Sequence, residues 1–286
     1  MRSSVQVSFI TCVKDQQPSF LLECAKSIKA QRSLVEWIVV NDGSSPSAAV
    51  MHHEIVKTTA SSLCTSFIRL TNPVGLALAR NEGLARAKGE WIVVCDSDDR
   101  VSAALAESLA SLRDTVEMAC FEVTYFNETW SEHRRVAFFE RLFRSHGGTS
   151  LDPFLWFDFY YHGIMGRRRL MQKIGGYVAD LRVGEDQDIL LRALEAIGPE
   201  QLAFFHSIGY EYRLNENGVC RQNWEEVLKN YTSTMLAGAR RRGSPFIGCR
   251  LRGTRVIEGS TVDCYDYELK PNLWLSWDEW RDELRR

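Results

Sequence analysis

Asp96, Asp98 and Asp99 fall within four positions, directly after the apolar run Trp91–Cys95 in "GEWIVVCDSDDRV". Three carboxylates this close repel one another unless something positive sits among them. Asp96-Ser97-Asp98 offers hard oxygen ligands one residue apart. Mg2+ and Mn2+ prefer such oxygens together with the phosphates of a bound substrate. A divalent ion there would cancel the charge of the cluster and of a diphosphate at once. A solvated acidic turn is the other reading, and a lone Asp-x-Asp does not decide between them. A second acidic group, "GEDQD" at 184–188, opens an apolar-periodic segment, where N-capping alone would explain it.

The elements around these acids follow a pattern. "VQVSFITCV" (5–13) reads as a buried strand, and Pro18 opens a helix over 19–30 with Leu21, Leu22, Ala25 and Ile28 on one face. A strand over 37–40 runs into the turn Asn41-Asp42-Gly43. A helix follows at 52–62, a strand at 66–70, and a turn and helix within 72–89. Trp91–Cys95 is the fourth strand. Strands alternating with helices at short intervals predict a parallel sheet with helices on both faces. Ligands of such sheets bind beyond the carboxyl ends of the strands. Asp15, Asp42 and Asp96–Asp99 all lie just past predicted strand ends, so three acidic turns should line one edge.

Beyond about residue 117 the pattern changes. "EMACFEVTYF" (117–126) alternates as a strand with one exposed side, and "RRVAFFERLF" (134–143) suits a strand or a short helix. "GEDQDILLRALEAIG" (184–198) reads as a helix stopped by Gly198-Pro199. "RVIEGSTVDCYDY" suits a hairpin, and a final helix follows. No internal repeat or long Gly/Ser/Pro linker divides the chain.

Composition narrows the function classes. The chain has 286 residues, 45% hydrophobic and 25% charged, enough for one large domain with or without an appendage. A formal net charge of −2 gives no argument for nucleic acid. The eight cysteines form no CxxC pair, and Cys12 and Cys95 sit inside strand-like runs, which reads as buried free thiols in a reducing cytoplasm. Arg2 is followed by no long apolar stretch, so no signal peptide is expected. No run approaches the roughly 20 apolar residues of a membrane span.

Four segments, "SFITCVKD", "VVNDGSS", "GLALARNEGLARAKGEWIVVCDSDD" and "GGYVADLRVGEDQDILLR", resemble in order and spacing the GT-A glycosyltransferases of family 2, inverting enzymes that use nucleotide-diphosphate sugars. The resemblance covers about residues 5–222. It implies an α/β GT-A fold with a mostly parallel, Rossmann-like central sheet. Residues 1–100 would form the nucleotide half and 101–222 the acceptor half with the catalytic helix, leaving 223–286 as a C-terminal extension.

Residue by residue, the resemblance implies the following. Thr11 and Val13 would sit against the nucleobase. Asp42 would accept a hydrogen bond from base or ribose, an Asx-turn being its alternative. Arg80 and Asn81 would lie near the nucleotide and its phosphates, with a solvated helix position as the alternative for Arg80. Asp96 would bind ribose, Asp98 the Mn2+ or Mg2+ that bridges the diphosphate, and Asp99 would stabilise the turn. Arg221 would bring positive charge to the diphosphate. Asp186 would be the base that takes the acceptor proton, while Glu185 orients a sugar hydroxyl. A helix N-terminus favours an ionised carboxylate, so a depressed pKa is expected for Asp186. Gly175-Gly176 suits a close approach of backbone to the donor sugar.

Two departures stand out. Asn215 occupies a place where the family often has His, and "CVKD" replaces the usual Pro-x-Tyr-Asn. Val13 therefore offers no aromatic face to a uracil, which weakens UDP against other nucleotides.

The remaining features keep alternatives open. Arg240, Arg241, Arg242, Arg250, Arg252 and Arg255 form a basic cluster, either a solvated surface or a site for an anionic acceptor. The aromatics Phe154–Tyr161 read as core or as faces that stack on acceptor sugars. Trp277, Trp280 and Leu284 share a face of the final helix. That face would be covered by the catalytic domain, a second subunit, or a membrane at its inner surface.

The expected function is metal-dependent, inverting transfer of a sugar from a nucleotide-diphosphate donor, UDP-linked, to a hydroxyl of a glycan, glycolipid, peptide or natural product. The rivals are an inactive sugar-nucleotide-binding protein and a sugar-phosphate nucleotidyltransferase. The latter usually carries a Gly-rich basic loop that "SFITCVKDQQP" lacks. A dinucleotide dehydrogenase would want GxGxxG after the first strand, which is absent.

Overall fold

A computed structural model describes residues 5–137, 140, 144, 162, 164–181, 184–215, 224–241, 248–257 and 260–276. Its centre is a nine-stranded sheet. Strands β1 (Val7–Val13), β2 (Val35–Asp42), β3 (Cys64–Leu70) and β4 (Trp91–Val94) form its parallel half, in the order β3-β2-β1-β4. Every residue of β1 and β2 is buried, as befits central strands covered on both faces. Side chains alternate between two cores. Phe9, Val13, Trp37 and Val39 face one; Ile10, Cys12, Ile38 and Val40 face the other.

Helix α1 (Pro18–Lys29) covers the first face with Leu21, Cys24, Ala25 and Ile28, a 3.6-residue stripe. Proline at the first helical turn starts both α1 and α2 (Pro46–Thr59), where the missing N–H has no intrahelical partner to lose. Helix α2 therefore begins six residues before the start expected from its apolar pattern, and Asn41 and Asp42 end β2 rather than standing in a free turn. Helix α3 (Leu76–Arg86) covers the second face with Ala79 and Leu84.

The second half joins the sheet through β8 (Ile164–Arg167), antiparallel to both β4 and β6 (Met118–Phe126). Strand β6 runs parallel to β9 (Leu202–Arg213), and β9 closes antiparallel onto the two-residue β5 (Arg100–Val101). A short hairpin strand, β7 (Ser131–Arg134), pairs with β6. The expected strand over 117–126 is β6. Strand β9 has no counterpart in the sequence reading, because two register shifts against β6 and the exposed stretch His206–Ile208 break any period of two.

Helices α4 (Leu105–Ala110), α5 (Arg168–Lys173) and α6 (Glu185–Glu195) complete this half, with a 3-10 turn at Pro199–Gln201. Helix α7 (Trp224–Arg241) packs on α6, where Arg241 Nε donates to Glu195 at 2.8 Å. The expected hairpin is part of a three-stranded antiparallel sheet, β10 (Gly248–Ile257), β11 (Ser260–Lys270) and β12 (Leu273–Ser276). Tyr267 of β11 is fully buried in the main core, so this sheet is anchored to the rest of the molecule. Arg221, Arg242, the aromatics Phe154–Tyr161 and the final helix with Trp277, Trp280 and Leu284 lie outside the described residues.

Candidate active site

The three acidic turns do meet at one sheet edge, and they are wired together. Asp15 Oδ1 accepts from the Ser45 N–H and hydroxyl at 2.9 and 2.8 Å. Gln16 Nε2 donates to Ser97 Oγ at 3.0 Å, between the two aspartates of the Asp-x-Asp. Buried His52 holds the Gln16 carbonyl through Nε2 at 2.9 Å and lies 3.4 Å from Asn41 Nδ2. The Asx-type bond of the second turn belongs to Asn41, whose Oδ1 accepts from Ser44 N–H at 3.0 Å.

Asp42 does something else. Both its oxygens accept backbone N–H groups, from Val74 at 2.6 Å and Gly75 at 3.0 Å. It thereby holds the "NPVG" loop that leads into α3. Thr11 and Val13, expected against the nucleobase, instead send their side chains into the core. Thr11 Oγ1 accepts the Trp37 indole N–H at 3.0 Å, satisfying a donor that would be costly to bury alone, and Val13 is 1% exposed.

In the Asp96–Asp99 turn each carboxylate has a different fate. Asp99 is buried and accepts from the Tyr210 hydroxyl and Arg213 N–H, both at 2.7 Å. Burial and its two acidic neighbours hold its carboxyl well above the usual range. Asp96 pairs with Arg80 at 2.8 Å. Burial works to raise its pKa, but the Arg80 charge and hydrogen bond outweigh it and hold the carboxyl below its ordinary value. Asp98 receives a hydrogen bond from Asn215, yet burial and the charge of Asp96 push it up. Among the described residues Asp98 has no salt bridge.

Arg80 links the two halves. Its Nη1 donates to Glu185 at 2.7 Å while Nη2 holds Asp96. The side chain is 5% exposed, so Arg80 does not occupy a solvated helix position. The other end of the strut is built by glycines and amides. Gly184 caps α6 at φ +80°, and Gly176 turns at φ +68°, where a Cβ would lie 2.5 Å from Asn81 Oδ1. The Asn81 amide then exchanges two 2.8 Å bonds with the Tyr177 backbone, one given and one received. Arg192 ties α6 to the same loop through the carbonyls of Ile174 and Gly176, both at 2.7 Å, and is itself oriented by Asp188 at 2.6 Å.

Asp186 is left as the carboxylate of α6 that faces the cleft. Its Oδ1 accepts the Gln187 N–H at 2.8 Å, and no salt bridge reaches it among the described residues. The depressed pKa expected from the helix N-terminus is not what its surroundings produce. Burial raises the carboxyl, and the Arg80 charge and the Gln187 N–H offset this only in part. Glu185 is also raised, to about 7, because burial and Asp186 oppose its contact with Arg80. The cleft measures about 780 Å³ to its open mouth, with Arg80, Asp96, Tyr177 and Asp186 at the rim. His162, stacked 3.9 Å from Tyr212, also lines it, and burial pulls its pKa down to about 3.

Sequence reasoning did not find Arg192 or Tyr210. Tyr210 bonds Asp99 far along the chain, which no spacing reports, whereas Arg192 sits four residues after Asp188 on one helix face, a spacing the sequence does show. Of the basic cluster, Arg241 pairs with Glu195, and Arg250 and Arg252 with Asp266. Cys12, Cys24, Cys95, Cys120 and Cys249 are free thiols. No helix among the described residues is long and apolar enough to cross a membrane.

Comparison with known proteins points the same way. Residues 8–175 match the family described as Glycosyl transferase family 2. The chain is 27% identical over 235 residues to the succinoglycan biosynthesis protein ExoO of Rhizobium meliloti (strain 1021), covering 75% of this chain and 62% of that protein. It is 26% identical over 190 residues to the uncharacterized glycosyltransferase YwdF of Bacillus subtilis (strain 168), covering 66% and 68%. Among solved structures, S. aureus TarS 1-349 in complex with UDP-GlcNAc superposes with a TM-score of 0.59 at 12% identity, covering 94% of this chain and 99% of that one. The mannosyltransferase PcManGT from Pyrobaculum calidifontis, in complex with GDP-Man and Mn2+, gives 0.60 at 20% identity, covering 84% and 65%. These likenesses establish a GT-A fold.

Proposed function

This chain belongs to glycosyl transferase family 2, and from that premise we propose that it moves a sugar, with inversion, from a nucleotide-diphosphate donor to a hydroxyl acceptor, with Asp186 as base. The observation that carries this reading is the pairing pattern of the acids. Asp96, Glu185 and Asp188 pair with arginines and Asp99 with the Tyr210 hydroxyl and Arg213 N–H, whereas Asp98 and Asp186 have no salt bridge among the described residues and Asp186 lines the cleft.

The donor set suits a divalent cation. Among the described residues no three His, Cys, Asp or Glu side chains converge into a metal cage. That is what an ion completed by substrate phosphates requires, since it needs only one or two carboxylates from the protein. Asp98 would hold it, and burial beside the charged Asp96 already makes Asp98 a carboxylate in want of a cation. Mn2+ or Mg2+ bound there supplies charge neutralisation for the departing diphosphate.

The protein's own residues do the rest. Asp186 accepts the proton of the acceptor hydroxyl as that oxygen forms its bond to the anomeric carbon. The bond from that carbon to the diphosphate oxygen breaks on the opposite face, and its electron pair leaves with the nucleoside diphosphate. Arg80 holds Asp96 and Glu185 at fixed positions on either side of the transferred sugar. Donor, acceptor and peripheral membrane or dimer contacts are parts of this proposal, as is a cytoplasmic location. UDP is retained as the first nucleotide to test, although Val13 lies in the core and supplies no stacking face.

The test is nucleoside diphosphate release from UDP-, GDP- and TDP-sugars with Mn2+, with and without the Asp98→Ala change. Slow donor hydrolysis that needs Mn2+ and Asp98 supports the reading. Metal-independent binding that is unchanged in Asp98→Ala removes Asp98 from it, and no turnover with any donor favours an inactive sugar-nucleotide-binding protein.

A further inference from the structure

The loop between α5 and α6 carries a side chain that the proposed reaction does not yet use. Gly175 and Gly176 turn at φ +82° and +68°, and the Asn81 amide then grips both the N–H and the carbonyl of Tyr177 at 2.8 Å. A backbone pinned at both groups limits where the Tyr177 ring can go. The ring lies beside Arg80, whose guanidinium carbon is 5.4 Å from its centroid. Tyr177 lines the cleft together with Arg80, Asp96 and Asp186.

A phenylalanine could make each of these contacts. Tyrosine adds a hydroxyl, yet the hydrogen bonds described for Tyr177 are those of its backbone. Burial raises its pKa, the Arg80 charge lowers it, and the charges of Glu185, Asp186 and Asp96 raise it again, so the phenol stays protonated and can donate. None of these three carboxylates accepts from it among the described contacts. Arg80 shows the same shortage: both Nη atoms are engaged, while its buried Nε has no partner. Solvent can supply acceptors while the cleft is open. A ligand that displaces it must supply them itself or leave donors unpaired, which is costly. A hydroxyl suits this mixture, since it can accept from a phenol while donating to a carboxylate.

On the reading that Asp98 holds the ion and Asp186 is the base, the transferred sugar occupies the cleft that Asp186 lines. Resting on that reading, we propose that Tyr177 is a specificity-determining residue whose hydroxyl donates to a hydroxyl of the transferred sugar. That sugar hydroxyl is not the reacting group and stays intact through the transfer. A donor that lacks it leaves the phenol unpaired and is rejected.

A double-mutant cycle between enzyme and donor tests the contact. UDP-glucose and GDP-mannose, each with its 2-, 3-, 4- and 6-deoxy forms, are titrated calorimetrically with Mn2+ onto the wild type and Tyr177→Phe, and nucleoside diphosphate release is followed. In at least one series the wild type should bind or turn over one deoxy form about 5- to 100-fold less well than its parent. Tyr177→Phe should weaken the parent by a similar factor and no longer separate it from that deoxy form, while keeping its ring, its Asn81 bonds and its thermal midpoint. If Tyr177→Phe does not fold, Tyr177→Leu reads the same coupling. Wild-type affinity and turnover of both parents in Tyr177→Phe overturn the contact and leave the transferase standing. So does a loss that couples to no deoxy position, because the phenol then meets something other than a sugar hydroxyl. Binding of no donor by the wild type overturns both the contact and the transferase reading.

Discussion

The Asp96–Asp99 turn and the N-terminus of α6 are two acidic clusters built on opposite plans. The turn sits at the end of a parallel strand, and its acids are divided among partners from distant elements: Arg80 from α3, Tyr210 and Arg213 from β9, Asn215 from the loop beyond. The helix handles its acids locally. Asp188 pairs with Arg192 one turn on, and Gln187 N–H meets Asp186. Glu185 reaches across to the same Arg80 that holds Asp96, and Asp188 also lies 3.8 Å from Arg241 of α7. Each cluster neutralises two carboxylates and leaves one. On the proposed roles, the metal ligand and the base are the two acids left without a salt bridge among the described residues.

The largest test of this contrast is within α6. Asp186→Asn keeps shape and hydrogen bonding but cannot take a proton, so kcat should fall by about 10²–10⁴-fold while donor and Mn2+ affinity stay near wild type. Asp188→Asn, whose carboxylate faces Arg192 and α7, should keep most of kcat. An inactive Asp188→Asn beside an active Asp186→Asn would reverse the two roles.

Next in size is the shared strut. Arg80→Gln leaves Asp96 and Glu185 without their cation, and breaking a buried pair costs about 3–5 kcal/mol, the lower figure applying here because Asp96 is 31% exposed. Unfolding in urea measures that loss. The same change has a sign in pH. As the proposed base Asp186 would act only when deprotonated; its pKa is raised by burial, and Arg80 is the main charge that lowers it. Without Arg80 the acid limb of the rate profile should move to higher pH. An unmoved limb would mean that the two clusters are not coupled.

The smallest expected effect concerns the third acidic turn. Asp42→Ala strands the N–H groups of Val74 and Gly75, a loss of about 1–3 kcal/mol in stability. The midpoint of thermal unfolding should drop, and donor KM should rise only as far as the loop into α3 loosens. A large rise in KM with an unchanged midpoint would return Asp42 to direct contact with base or ribose.

Local sequence carries a good deal of this molecule. Runs such as Val7–Val13 and Val35–Val40 announce fully buried strands, and proline, glycine and apolar spacing mark the helices between them. The alternation in turn puts Asp15, Asp42 and Asp96–Asp99 at one edge, because all parallel strands present their carboxyl ends there. Tertiary structure alone decided how the acids are used. Thr11 turns to Trp37 because a buried indole needs an acceptor. Arg80 spans 105 residues to Glu185, and β9 follows no regular period because it bulges against β6. A carboxylate's pKa depends on which charges and how much water surround it in space. No spacing along the chain reports that, so the raised pKa of Asp186 became visible only once burial could be weighed against a helix end.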